Sequence, residues 1–425
     1  MPSYFDLSPE ERKQELVRVE ELYTICSQQK KSLNMTRGKP CTEQLNLSAA
    51  MMTCLEDDDY KAKDGSDCRN YGGLEGLSEA QLLFADMLGF KQDQLMVLGN
   101  SSLNIMYDLL VKAMLFPLPG ATKPWSKHEK IRFLCPVPGY DRHFAITERL
   151  GFEMINVPMT EDGPDMDLVE TLAGDPTVKG MWLVPVYSNP QGYTCSDETC
   201  RRLATMKTAP DFRIFWDNAY AVHHLDFNDQ KKVPNILDLC QQSGHPERVF
   251  AFASTSKITW AGAGISCLAS SPVNMAYVKD QISLQTIGPD KVNQLRHVRF
   301  LKDQAGLEAL MRQHAAILKP KFDLVDEILV RDLEGLEISD WLEPKGGYFV
   351  SVDVMPGIAT EVVSLAKVCG VELTPAGSTH PYKKDPQNST IRLAPSFPPL
   401  DELRQAMDVL TVCIRLAALR KLCDA

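Results

Sequence analysis

The stretch that decides the fold is Val249-Phe-Ala-Phe-Ala-Ser-Thr-Ser-Lys257-Ile-Thr-Trp-Ala-Gly-Ala-Gly264. Val249 to Ala253 is an apolar run of strand length. It ends in three hydroxyl residues and a lysine, passes two closely spaced glycines, and restarts as an apolar run at Ile265–Ala269. A lysine held between buried strands loses hydration, which favours the neutral amine and makes it a nucleophile or Schiff-base former. Ser254, Thr255 and Ser256 are phosphate ligands in type and position. Taken alone, the stretch also admits a solvated strand-end lysine, because lysine is rarely buried. Ser254-Thr-Ser-Lys257 further satisfies S-x-x-K, a serine acyl-enzyme pattern.

The neighbouring segments set this one in context. Strand-like runs at Ile131–Cys135, Met154–Val157, Met181–Val186 and Arg213–Asp217 precede it, with helical stretches such as Tyr140–Leu150 and Asp197–Lys207 between them. That alternation predicts an α/β domain with a largely parallel sheet sandwiched by helices. Tyr140, Asn189, Asp217, Tyr220 and Lys257 all fall just past strand ends, where open α/β sheets bind ligands. Asp217 ends a strand flanked by Phe215 and Trp216, where a bare carboxylate is costly unless it meets a positive partner.

Upstream, Ser8-Pro9-Glu10-Glu11 is a helix start with a cap, a proline at the first position and acidic residues in the first turn. Asn34-Met-Thr-Arg-Gly-Lys-Pro40 reads as a loop. Arg69-Asn-Tyr-Gly-Gly-Leu-Glu-Gly76 is a glycine-shaped segment before a helix at Ser78–Leu88. Val97-Leu-Gly-Asn-Ser-Ser-Leu-Asn104 opens onto another helix, and Ser101 and Ser102 at its N-terminus suit either an anion or plain capping. Downstream, a long helical stretch over Gly306–Arg331 is expected to be interrupted at Pro320. A smaller α+β pattern follows: strands Gly347–Val354, Val371–Thr374 and Thr390–Ala394, and helices Thr360–Cys369 and Leu400 to about Leu419. Arg392, inside an apolar strand, must snorkel or find a carboxylate. The expected division is an N-terminal arm and part of a small domain over residues 1–48, a large domain over 49–305, and a connecting helix with the C-terminal small domain over 306–425.

Composition closes off other classes. The 425 residues are 44% hydrophobic and 24% charged, those of a globular protein large enough for two domains. A formal charge of -11 argues against a nucleic-acid surface. No apolar run is long enough to span a membrane, and no leader pattern opens the chain, so a cytoplasmic protein with reduced thiols is expected. The 12 cysteines show no C-x-x-C spacing, and no metal is expected.

Together these residues resemble the fold-type I pyridoxal-phosphate aminotransferases, in order, from Arg37-Gly-Lys-Pro40 to Ile391-Arg-Leu-Ala-Pro395. The wording of Thr36-Arg-Gly-Lys-Pro40, Gly99-Asn-Ser-Ser102 and Ser256-Lys-Ile-Thr-Trp-Ala-Gly-Ala-Gly264 is similar to a bacterial subgroup of aspartate aminotransferases often called MocR-like. The resemblance implies pyridoxal 5'-phosphate as cofactor, with Lys257 as its Schiff-base residue. It implies Asp217 as partner of the pyridinium nitrogen, Asn189 and Tyr220 near O3′, and Tyr140 stacked on the ring. Ser101, Ser102, Ser254 and Ser256 are implied around the phosphate, joined by Tyr71 from a neighbouring subunit. For the substrate it implies Arg392 on the α-carboxylate, with Asn189 and Gly38 beside it. Amino-acid and 2-oxo-acid substrates and a homodimer with shared active sites follow, and an acidic amino acid is the first expectation.

Arg37, Lys39, Lys291 and Arg296 are candidates for a distal carboxylate. One departure stands out: many relatives carry an arginine shortly after the lysine to hold the phosphate, and Gly262-Ala-Gly-Ile265 has none. Hydroxyls and helix-end N–H groups are expected to suffice. The acyl-enzyme alternative lacks its K-[ST]-G partner. Other fold-type I chemistries (β-elimination, decarboxylation), aromatic or branched-chain substrates, and a non-catalytic pyridoxal-phosphate-binding regulator remain as alternatives.

Overall fold

The architecture rests on one eight-stranded sheet. The computed structural model describes residues 2–29 and 32–424. In spatial order the strands are Leu95–Leu98, Ser266–Ala269, Val249–Ser254, Arg213–Asp217, Val178–Leu183, Arg132–Val137, Glu153–Thr160 and Gly163–Pro164. The run from Val249–Ser254 to Glu153–Thr160 is parallel throughout. Two strands depart from the parallel expectation, Ser266–Ala269 and the two-residue edge strand Gly163–Pro164, which is antiparallel to Glu153–Thr160. Ser266–Ala269 runs antiparallel to both its neighbours, because the short link from Thr255 to Ile265 is no helical crossover and must return as a hairpin. Leu95–Leu98 is an edge strand that a four-residue apolar run does not announce.

Both faces of the sheet are buried. On one face Phe133, Trp182, Phe215 and Phe252 form a chain of aromatic contacts at centroid separations of 5.5, 5.0 and 5.7 Å. These rings each bury a large apolar area and prefer such tilted or offset contacts. Trp182 and Phe252 lie near the C-terminal ends of their strands, and Phe133 near the start of its own.

The N- and C-terminal segments build two smaller sheets. Ser339–Trp341, Val350–Val354 and Thr390–Leu393 form an antiparallel three-stranded sheet. Leu33–Asn34, which reaches into the expected loop at Asn34, pairs in parallel with Val371–Glu372, so an N-terminal segment is laced to a C-terminal one. The first helix, Pro9–Gln28, is capped as its residues dictate: Ser8 Oγ accepts from the Glu11 N–H while Glu11 accepts from the Ser8 N–H. The helix Gln304–Leu333 continues unbroken across Pro320, contrary to the expected interruption. A proline there forfeits one backbone hydrogen bond at a cost of roughly 3 kcal/mol. Burial of Leu310, Leu318, Phe322, Val325 and Ile328 on both sides of it holds the helix together. Among the described residues no helix is long and apolar enough to cross a membrane.

Candidate active site

Lys257 sits in the turn that follows Val249–Ser254, and the fold clamps that turn from several directions. The carbonyl of Lys257 accepts from Tyr348 Oη at 3.3 Å and lies 3.4 Å from His223 Nε2. His314 Nε2 donates to the Ile258 carbonyl at 2.9 Å, while its Nδ1 accepts from Gln44 Nε2 at 2.9 Å. His297 donates through Nδ1 to Asn293 O at 2.8 Å and accepts the Thr255 and Thr259 hydroxyls on Nε2 at 3.1 and 3.0 Å. This arrangement corrects one expectation: Thr255 is buried, spends its oxygen on His297 and the Ile265 N–H, and shapes the turn instead of facing an anion. Burial lowers the Lys257 pKa below the ordinary lysine value, and the charge of Asp217 opposes that shift.

The same histidines carry a pH signature. Loss of hydration brings His297 and His314 down to about 4, against the opposing pull of the backbone carbonyls of Asn293 and Ile258 that their ring N–H groups meet. An unfolded histidine takes up its proton near pH 6.5. Between those values the unfolded chain binds more protons, so stability falls as pH drops from about 6.5 to about 4. Each such histidine contributes a slope of about 1.4 kcal/mol per pH unit. Melting temperatures measured across that window should fall with pH, and His314→Gln should flatten the fall; an unchanged slope would contradict the assignment.

Asp217 ends the strand Arg213–Asp217 and is only 4% exposed. Its Oδ2 lies 3.2 Å from His143 Nε2, and His143 stacks on Trp182 at 4.2 Å with the planes 5° apart. Its Oδ1 is buried with no hydrogen-bond partner among the described residues. A buried carboxylate oxygen left unpaired is expensive, so this site is built for a donor that arrives from elsewhere. The N–H of a pyridinium ring would suit that oxygen, as a donor and in charge. Lys257 Nζ lies 5.0 Å from the centre of the Tyr220 ring, and Tyr220 is buried. Burial, reinforced by Tyr140 and Asp217, raises the Tyr220 phenol well above its ordinary pKa, so it stays protonated as a donor. Tyr140 is pushed up to about 12, chiefly by burial, and its ring meets His143 edge-on at 5.0 Å.

The hydroxyls gather around a helix N-terminus. Ser254 Oγ donates to Ser256 Oγ at 3.1 Å, and Ser256 Oγ reaches the Asn100 carbonyl at 3.4 Å. Two residues on begins the helix Ser102–Leu115, whose cap residue Ser101 makes no side-chain capping bond. Hydroxyls that can turn toward a ligand and unpaired N–H groups at a helix start form a cradle for an anion.

Arg392 is buried on the other side of the cleft. Its Nη1 donates to Asp141 at 3.1 Å and lies 3.5 Å from Asn189 Oδ1, and its Nη2 donates to Thr374 at 3.2 Å. Its Nε is buried without a partner, and the guanidinium lies 4.9 Å from the Phe349 ring centre. The ion pair and the ligand-binding readings of this arginine therefore coexist: Asp141 and Thr374 hold its two terminal nitrogens, and Nε is left without a partner among the described residues. Gly38 completes the support. A Cβ there would stand 2.5 Å from Phe349 Cζ, so only glycine lets that ring lie beneath Arg392. Gly38→Ala should overpack the contact by about 1–3 kcal/mol. By tilting the ring it should raise KM for the amino-acid donor about tenfold or more. Steady-state kinetics beside a melting curve checks this, and an unchanged KM would remove Gly38 from the site.

Tyr71 is not brought to the other residues within one chain; it is 83% exposed. Its loop is pinned by Lys291, whose Nζ donates to the carbonyls of Asn70 and Gly72 at 2.7 and 2.6 Å. Lys291 is thus committed to the loop, and Lys39 lies over the Phe397 ring. Residues that sequence reading missed form the support: His143, Trp182, Gln44, His297, His314 and Tyr348. None has a local signature.

Residues 7–425 match the model of the aspartate amino-transferase family. An aspartate aminotransferase of Corynebacterium glutamicum is 50% identical over 387 residues, covering 91% of this chain and 89% of its own. The crystal structure of an aspartate transaminase from Corynebacterium glutamicum superposes with a TM-score of 0.97 at 47% identity, covering 99% of both chains. An α-aminoadipate aminotransferase of Thermus thermophilus, solved with N-(5'-phosphopyridoxyl)-L-leucine, shares the fold at a TM-score of 0.73 and 20% identity, covering 98% of this chain and 96% of its own.

Proposed function

The chain belongs to the aspartate amino-transferase family and is a fold-type I aminotransferase; on that premise we propose that it uses pyridoxal phosphate to move the amino group of an acidic L-amino acid, aspartate first, to a 2-oxo acid such as 2-oxoglutarate. The observation that carries this reading is the buried, unpaired Oδ1 of Asp217 beside a lysine whose pKa is lowered by burial. Structures and names of relatives support the cofactor: the Thermus enzyme was solved with a phosphopyridoxyl amino acid. The name of the Corynebacterium relative supports aspartate as donor.

When bound, the cofactor supplies an electron sink for charge that develops at the substrate Cα. The protein's part follows from its own residues. Lys257 Nζ, whose burial disfavours the charged form, serves as general base for the Cα proton and holds it within the cleft. Asp217 accepts the ring N–H and keeps that nitrogen cationic, with His143 fixing its other oxygen. Tyr220 and Asn189 donate at the ring oxygen, and Tyr140 covers the ring. Ser101, Ser102, Ser254 and Ser256 serve the phosphate. Arg392 forks onto the α-carboxylate, with Asn189 and Gly38 shaping the approach.

A second copy of the chain belongs to this reading. The exposed Tyr71, together with Leu284 and Ile287 at 89% and 61% exposure, marks the face we assign to a homodimer in which Tyr71 reaches the neighbouring phosphate. The division into residues 1–48, 49–305 and 306–425 is proposed on the same footing. Mixing purified protein with L-aspartate and no oxo acid tests the function. The visible band of the lysine-bound cofactor should shift to shorter wavelength with one oxaloacetate formed per site. A band unmoved by aspartate but shifted by an aromatic or branched amino acid would replace the substrate.

A further inference from the structure

Behind the serine cradle lies a cavity of about 500 Å³, lined by Gly99, Asn100, Gly262, Ala263, Gly264 and Arg296 among others. Three features make it more than a surface hollow. A Cβ built on Gly99 or on Gly262 meets nothing within 4 Å, so two walls open onto free space. Gly264 comes so close to the lysine turn that a Cβ there would lie 3.0 Å from Thr255 Oγ1 and 3.3 Å from the Ser256 nitrogen. The cavity therefore abuts the turn that bears Lys257. Thirdly, the guanidinium of Arg296 makes no hydrogen bond or ion pair among the described residues, although the residue is half-buried.

The helix Lys291–Leu301 aims this arginine. Asn293 Nδ2 donates to the carbonyls of Ala263 and Gly264, both at 3.0 Å, which ties the start of the helix to that segment. Arg296 lies three residues further on and so shares the Asn293 face of the helix. Asp290, the carboxylate in the lining, accepts the Asn293 N–H at 2.9 Å as the helix cap.

A phosphate monoester carries nearly two negative charges near neutrality. The hydroxyls of Ser101, Ser102, Ser254 and Ser256 are neutral, and the segment Gly262–Ile265 carries no cation. We propose that Arg296 supplies the positive charge that holds the cofactor phosphate, reaching it from the neighbouring helix through the cavity between Gly99-Asn100 and Gly262–Gly264. This rests on the cofactor assignment above and replaces the expectation that neutral donors suffice. It also assigns Arg296 to the phosphate in place of a distal substrate carboxylate.

The test separates the phosphate from the rest of the cofactor. Cofactor-free wild type, Arg296→Gln and Arg296→Lys are each titrated with pyridoxal phosphate and with pyridoxal, following the visible band of the lysine-bound aldehyde. Arg296→Gln should weaken pyridoxal phosphate on the order of 10- to 100-fold, the range of one charge-assisted hydrogen bond, and leave pyridoxal unchanged. Arg296→Lys should fall between. Equal losses for both ligands would make Arg296 structural and overturn the proposal. An unchanged pyridoxal-phosphate titration, with a raised KM for aspartate alone, would return the arginine to the distal carboxylate. A wild type that gives no band with pyridoxal phosphate would remove the functional reading itself.

Discussion

Lys257→Ala is expected to abolish turnover, by roughly four orders of magnitude or more, while leaving the fold intact. Two roles are lost together, the covalent attachment of the cofactor and the proton transfer at Cα, and general acid–base catalysis alone contributes about 10²–10⁴-fold. The fold should survive because the turn is held by its backbone and neighbours. Tyr348 bonds the Lys257 carbonyl, and His314 and His297 clamp Ile258, Thr255 and Thr259. Removing a desolvated amine also relieves a burial cost. Single-turnover kinetics beside circular dichroism and a melting curve decides the matter. Near-normal transamination in a folded variant would sink the assignment of Lys257.

Asp217→Asn is expected to slow turnover by about 10²–10³-fold, the scale of losing one preorganised electrostatic partner. The substitution keeps the volume and removes the charge. His143 would keep its stacking on Trp182 but lose its carboxylate, and the ring nitrogen of the cofactor would lose the acceptor that holds it cationic. Cofactor affinity should fall in the same variant, read from the visible band on titration with pyridoxal phosphate. Unaltered turnover would show that the unpaired Oδ1 serves something other than the cofactor.

The chemistry-bearing residues were legible because each lies in a local pattern that carries its own physics. Ser254-Thr-Ser-Lys257 follows an apolar strand, Asp217 ends another, and Arg392 interrupts a third, so burial and charge conflict visibly in one dimension. Their support was not legible. Gln44 and His314 meet across 270 residues of chain, and His143 reaches Asp217 across 74. A histidine far away in sequence shows nothing of the carbonyl it will find. Thr255 illustrates the same limit, since strand-end position cannot say whether a hydroxyl points to the cleft or into the turn.

By itself the sequence determined the α/β class, the capped first helix and the placing of Asn189, Asp217, Tyr220 and Lys257 past strand ends. These depend on periodicity, capping and turn chemistry, which act over a few residues. Only the tertiary structure decided that Ser266–Ala269 returns antiparallel, that Leu33–Asn34 joins Val371–Glu372, and that the helix through Pro320 stays whole. It alone left one oxygen of Asp217 unpaired and set Arg296 beside the segment that lacks a cation. Those outcomes come from burial and hydrogen-bond completion between distant segments, and both are properties of the packed chain that no local window contains.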